Sequence, residues 1–345
     1  MSDRRDEDSI LAIAGVSERE WVGLLDRAAE AGLLTRNAPG GASAMYRVHP
    51  ALPWYFREQF LKAYGDPDAD DPRARQVVRA YVDAVGVLGS ILHSEFQAGT
   101  QVMLYGMGLE EENLLHARRL ARRHGWWRGV TSAMQGLRNL YDATGRRAEW
   151  RRLVEEATPD FVDADTDKPI RGREEDWSLI TDYRVGILQE ERDWETAERL
   201  QRRHVDWTYE HAQPLLGRDV DGLGAEERHS IRRYGLSLSR LSQIQREQGS
   251  AECVVGFTEA YEVYQKFGFR QHAAGTAFGL GHAYRDVEKI RDLDEASRWY
   301  RVGLDLTPDS DRRGRGKLYN QLVLHHGSSA NALVPRRVLV QPTGG

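Results

Sequence analysis

Few residues in this chain have the type and spacing to do chemistry, and they test metal, nucleophile and phosphate sites in turn. Asp163-x-Asp165-x-Asp167, with Ile170 and Glu174, reproduces positions one, three, five, eight and twelve of a twelve-residue calcium loop. Lys168 occupies position six, where the sharp turn demands glycine, and Pro169 follows it. Pro159 is expected to interrupt any helix ahead of Asp163, so the segment reads as an acidic, solvated linker. The histidines His204, His211, His272, His282, His325 and His326 fall into no His-Glu-x2-His or Cys/His ligand spacing. No metal site is expected. The lone Cys253 cannot form an internal disulfide and reads as a small buried apolar residue. A Gly-x-Ser-x-Gly elbow and a Gly-x4-Gly-Lys-[Ser/Thr] phosphate loop are both missing from the sequence, so no catalytic residue and no cofactor are assigned.

The scaffold around these residues is helical. Leu280-Gly281-x2-Tyr284, then Ala296, Tyr300, Gly303 and Pro308, are the small and aromatic positions of a tetratricopeptide repeat in order. Gly281 and Ala296 would let two antiparallel helices approach, Tyr284 and Tyr300 would fill the space between hairpins, and Pro308 would stop the second helix. The stretch Asp286 to Asp294 between the helices is longer than the usual turn and implies an insertion. Working backward, Gly249 separates Leu238, Leu241 and Ile244 from Val254, Phe257, Tyr261 and Tyr264, and Gly268 suits a helix C-cap. Val185 and Leu188, then Trp194, Ala197 and Leu200, form another hairpin turning at Asp193-Trp194. Leu137, Leu140 and Tyr141, then Trp150, Leu153 and Val154, form a fourth around Gly145. Polar stretches Thr158 to Asp176 and Pro214 to Glu227 read as loops.

Such a solenoid presents the first helix of each hairpin along one groove. Positions one and four residues beyond the glycine slot then give Asn139 and Asp142, Gly186 and Gln189, Gln243 and Arg246, and His282 and Arg285 as groove residues for a protein or peptide ligand. With 40% hydrophobic and 29% charged residues in 345, the chain can bury its cores without metals or disulfides. A mean hydropathy of −0.62 and no evident apolar run of about 18 residues argue against a membrane span. The acidic start lacks the apolar core of a signal peptide, and a cytoplasmic location is expected. The net charge of −5 argues against nucleic acid as a general partner. Only five of the 48 basic side chains are lysine, a bias that fits a GC-rich coding sequence, and Arg118, Arg119, Arg122 and Arg123 read as a solvated helix face.

The first sixty residues follow another pattern. Ser17-x2-Glu20 is a capping box opening a helix with Trp21, Leu24, Leu25, Ala28 and Ala29, which stops at Gly32. Leu33 to Arg36 and Met45 to Val48 flank a Gly/Pro/Ser loop as two strands, and His49-Pro50 leads into a helix with Leu52, Tyr55, Phe56 and Phe60 on one face. This order reads as the back half of a winged-helix domain. Its helix from Ser17 to Ala31 offers Glu18, Glu20, Asp26 and Glu30 against Arg19 and Arg27, a balance that repels phosphate.

The whole is therefore read as mainly α: an α-solenoid of degenerate tetratricopeptide-like hairpins (76–326), preceded by a partial winged-helix domain with a small β-hairpin (1–62) and an acidic linker (63–75), and followed by a flexible tail (327–345). The Leu-Leu and Gly-Leu-Leu runs between Leu24 and Leu34, the Tyr46-Arg47-Val48-His49-Pro50 segment and Glu112-Asn113-Leu114-Leu115-x-Ala117 resemble the C-terminal winged-helix and repeat region of STAND-type, NB-ARC-like NTPases. That resemblance implies a non-catalytic sensor and interaction module in bacterial defence or regulation, partnered with an NTPase or effector domain. It would make His49 a reporter of nucleotide, whereas locally His49 caps a turn. A winged-helix transcriptional regulator and an enzyme with a dispersed active site are the alternatives.

Overall fold

Ser17 and Glu20 form the expected capping box: the Ser17 amide donates to Glu20 Oε2 at 2.9 Å, and the Glu20 amide donates to Ser17 Oγ at 3.4 Å. The computed structural model describes residues 10–37, 45–69, 71–97 and 99–326. Within them a short helix α1 (Ile10–Ala14) precedes the capped α2 (Glu18–Glu30). Strands β1 (Leu34–Asn37) and β2 (Met45–Val48) pair antiparallel with Leu34 opposite Val48, and α3 (Pro53–Tyr64) follows. The Ala51 amide donates to His49 Nδ1 at 3.2 Å, so His49 caps a local turn.

The next helices are α4 (Pro72–Gln97), α5 (Met103–His124), α6 (Trp127–Ala143) and α7 (Arg147–Phe161). Then come α8 (Glu174–Glu191), α9 (Trp194–Leu216), α10 (Ala225–Glu247), α11 (Cys253–Lys266), α12 (Arg270–Asp286), α13 (Leu293–Leu306) and α14 (Arg312–His326). The fold is mainly α, a consecutive series of helical hairpins with one small antiparallel sheet among the described residues. Contacts divide it into two compact units, Met1–Ala157 and Thr158–Gly345, with the boundary inside α7. The tail residues 327–345 lie outside the described residues, as do the side chains of His325 and His326.

In the first unit α4, α5 and α6 pack against one another. Ala74, Val78, Val82, Val85, Gly89 and Leu92 recur at helical spacing to form the buried stripe of α4. Gly89 and Gly136 meet where α4 crosses α6, and a Cβ on Gly136 would stand 3.0 Å from the Gly89 Cα. The expectation that no stretch approaches a membrane span is overturned for α4, where an 18-residue window reaches a mean hydropathy of 1.2. In this fold its buried stripe packs on α5 and α6, while Val87 and Ile91 are 59% and 53% exposed. The arginine stripe on α5 is corrected at Arg118, while Arg119 and Arg123 are exposed as expected. Arg118 is 2% exposed, donating to the Leu153 carbonyl at 2.9 Å and pairing with Glu156 at 3.2 Å, because a buried guanidinium needs several partners. Residues 10–64 hold no fully buried side chain among those described, and Trp21, Trp54, Tyr55 and Phe56 are all more than two-fifths exposed.

In the second unit each helix from α9 to α14 packs against the one before it. The turn glycines fall where they were expected: Gly249 here and Gly145 in the first unit adopt φ of +72° and +71°. Asp193 opens α9 as its N-cap, accepting from the Thr196 amide at 3.2 Å. The insertion after Asp286 is a short 3-10 turn, Glu288–Ile290, anchored by the buried Val287. Both predicted loops are shorter than expected. Pro159 and Pro214 lie inside α7 and α9, one turn from their ends, where only a few backbone bonds are affected. Phe161, the last residue of α7, is fully buried.

Candidate functional site

The sequence-predicted groove residues do not share one environment. Asn139 and Asp142 lie in the first unit and the others in the second. Asn139 is 5% exposed and bonded to the Gln97 amide at 3.1 Å and to His93 Nδ1 at 2.9 Å, so it is a satisfied core amide and is withdrawn as a partner contact. Asp142 is exposed.

In the second unit, alternate helices α8, α10, α12 and α14 form one row joined by polar bridges. Arg240 on α10 pairs with Asp182 on α8 and donates from Nε to Gln189 Oε1 at 3.3 Å. Arg233 pairs with Glu175. Ser239 Oγ lies 3.2 Å from Thr276 Oγ1 on α12, and Arg285 donates to Gln321 on α14. Gly186 makes room for this row, since a Cβ there would stand 3.1 Å from the Arg240 guanidinium. Helices α9, α11 and α13 make the other row: Arg202 reaches Glu252 at 3.1 Å, and Tyr261 meets Trp299 edge-on at 5.1 Å.

On the first row Gln243 and Gly275 are exposed, Leu236 is 46% exposed, and a Cβ on Gly275 would meet nothing within 4 Å. The cationic residues assigned to the groove are already engaged. Arg246 pairs with Glu247, and Arg285 pairs with Asp286 at 2.5 Å, so neither guanidinium stands free for an acidic ligand. His282 accepts or donates at 3.3 Å to the Tyr300 hydroxyl, and burial together with Arg285 and Arg246 pulls its pKa down to about 4.

In the acidic segment after α7, Asp163 to Thr166 are exposed as expected of a solvated linker, whereas Asp167 is drawn into a cluster of arginines. Asp163 closes its own turn, accepting from the Thr166 amide at 2.9 Å and the Thr166 hydroxyl at 2.7 Å. Asp167, in the left-handed region at φ +53°, gathers Arg199 at 2.6 Å, Arg184 at 3.1 Å and Arg203 at 3.3 Å. Burial opposes its ionisation, but the hydrogen bonds from Arg199 and Arg184 win and hold the carboxyl below its usual range. Its carbonyl accepts from Trp177 Nε1 at 3.1 Å. The arginines thus take the carboxylate that the calcium pattern would have used. Among the described residues no group of three or more His, Cys, Asp or Glu is arranged to hold a metal ion.

One pair that spacing could not reveal is Ser178 on α8 and His204 on α9, with Oγ and Nε2 2.6 Å apart. The separation is that of a nucleophile and its base. The rest of the arrangement opposes that chemistry. Ser178 is 5% exposed and His204 7%, and burial holds the imidazole pKa near 4 despite Asp182, so it is a poor base at neutral pH. Nδ1 has no carboxylate partner among the described residues to orient the ring. Cys253 is fully buried, and burial lifts its thiol pKa to about 11.

No protein-family model matches the chain, and no curated protein matches it. Among solved structures it is similar to BtubC (BKLC) from P. vanneervenii, at 15% sequence identity and a TM-score of 0.48. The match covers 69% of this chain and 97% of that one.

Proposed function

We propose that this chain is a non-catalytic interaction module whose second unit binds a segment of a partner protein on the row formed by α8, α10 and α12. The observation that carries this reading is the open stretch of that row, where Leu236, Gln243 and Gly275 face outward between helices already bridged to each other. An exposed leucine supplies apolar area, an amide can pair with a peptide backbone, and the bare Gly275 backbone allows close approach. The paired arginines serve the wall's rigidity, leaving recognition to neutral groups. The tetratricopeptide-like spacing around Gly281 supports the repeat assignment, and the helix, hairpin and helix of residues 18–64 support a sensor half of a STAND-type signalling system.

The test is affinity capture from the host lysate with wild-type chain and a Gly275→Trp variant, which fills the face where a side chain meets open space. Loss of a specific protein from the variant, with an unchanged melting temperature, supports the reading. Equal retention by both chains, or capture of nucleic acid alone, sinks it.

A further inference from the structure

The hairpin of α8 and α9 has an unusual interior for a helical repeat. Its two helices run antiparallel in a register fixed by contacts at both ends: Ser178 meets His204, while Val185, Leu188, Ala197 and Trp194 share one apolar cluster. One turn in from the Ser178 and His204 pair, that register sets Thr181 opposite Gln201. Four polar side chains therefore occupy two successive rungs of a buried helix interface, at 5%, 7%, 1% and 0% exposure for Ser178, His204, Thr181 and Gln201.

Their bonding is incomplete in a patterned way. Gln201 Nε2 donates to the Ser237 carbonyl on α10 at 2.9 Å, which fixes the amide and leaves Oε1 as the acceptor. Gln201 Oε1, Thr181 Oγ1 and His204 Nδ1 are buried without a hydrogen-bond partner among the described residues. Neighbouring Thr208 and Ser237 are satisfied: their hydroxyls lie 2.6 Å apart with one donating to the other, and the remaining proton goes to a carbonyl, that of His204 for Thr208 or of Tyr234 for Ser237. Three orphan polar atoms on two facing rungs comprise one acceptor, one hydroxyl that can do either, and one ring nitrogen. That is the partner set a single water satisfies with its two protons and two lone pairs.

We propose that an ordered water molecule is bound inside this hairpin by Thr181 Oγ1, Gln201 Oε1 and His204 Nδ1. With it in place the polar rungs become a closed network from Ser178 to Ser237, and a slip of α8 against α9 would break both bonds that cross between the two helices, Ser178 to His204 and Thr181 to the water, together. The water thereby helps specify the pairing of the hairpin that carries Asp182, Gly186 and Gln189 on the proposed binding row.

The experiment uses the full chain and compares Thr181→Val, which keeps the shape and removes the hydroxyl, with Thr181→Ser, which keeps the hydroxyl. A bound water predicts that the valine variant loses about three- to tenfold in folding equilibrium constant, whereas the serine variant retains the water. A crystal structure of the wild type should show density bridging the three atoms, and the Thr181→Val crystal should show it weakened or displaced. A valine variant as stable as the wild type, or more so, overturns the proposal, because deleting an unpaired buried hydroxyl is neutral or favourable. A dry wild-type site overturns it also, even if the valine variant fails to fold.

Discussion

His204 and His282 show how burial converts ordinary histidines into acid-sensitive structural parts. Both have pKa values pushed down to about 4, chiefly by desolvation, with Arg233 and Arg240 near His204 and Arg285 and Arg246 near His282 adding repulsion; Asp182 and Asp286 partly offset this. An unfolded histidine takes up its proton near pH 6.5, so between about 6.5 and 4 the unfolded chain binds more protons than the folded one. The stability these residues contribute is therefore fully present above pH 6.5, falls as pH drops toward 4 by up to about 3 kcal/mol each, and changes no further below that. Urea unfolding of the wild type and of His204→Gln and His282→Gln variants at about pH 7.5 and about pH 5 checks this. The contributions of the carboxylates and of His93, His116, His229 and His272, also lowered by burial, are common to all three chains and cancel, so each variant should lose less stability than the wild type between the two pH values. A variant that loses as much as the wild type would remove its histidine from the account.

Two glycines on α12 make a sharper contrast at the same scale. Gly281 lies against the ring of the fully buried Tyr300, so Gly281→Ala must displace that ring and is expected to cost about 2 kcal/mol. Gly275→Ala, with open space around its Cβ, is expected to stabilise by about 0.5–1 kcal/mol through helix propensity alone. Denaturant melts of the two variants should move in opposite directions. The glycine at Gly281 was legible from its spacing to Ala296 and Tyr300. The burial of Asn139 and the pairing of Arg246 and Arg285 were not, because a helix register says which way a position points and nothing about which neighbour reaches it first.

Among the elements, the turns of the second unit separate what a local pattern specifies from what packing imposes. Gly249 sits in the left-handed region where a hairpin turn needs it, and the sequence announces it. The turn between α8 and α9 uses Arg192 in the same conformation, φ +60°, against its steric preference. Arg192→Gly is expected to raise the unfolding free energy by about 1 kcal/mol, read by thermal or urea denaturation; a loss of stability would mean that the side chain compensates through contacts of its own. Proline misled in the opposite direction. Pro159 and Pro214 suggested loop starts, yet the buried Phe161 and Ala212 hold α7 and α9 intact around them. Asp167 was read as solvated because charge in sequence says nothing of where arginines on the next two helices will land, and Arg184, Arg199 and Arg203 all land on it.

At the scale of the whole molecule, stability is unevenly shared. Helices α6 and α12 each hold seven or more buried residues, while α2 and α3 hold none. Amide hydrogen exchange should show α6 and α12 protected to near the global unfolding limit and α2 and α3 opening far more readily. Uniform protection across all four would mean that residues 10–64 draw stability from contacts other than buried side chains. By itself the sequence determined the helical class, the hairpin order, the capping box at Ser17 and the glycine turns, because each follows from interactions within a few residues. Only the tertiary structure decided the rest: that α4 packs its buried stripe on α5 and α6, that Arg118 is buried, that the groove arginines are each paired with a neighbouring carboxylate, Glu247 and Asp286, and that Ser178, Thr181, Gln201 and His204 meet in one interior. These outcomes depend on which distant side chains compete for the same buried space, and no local spacing encodes that competition.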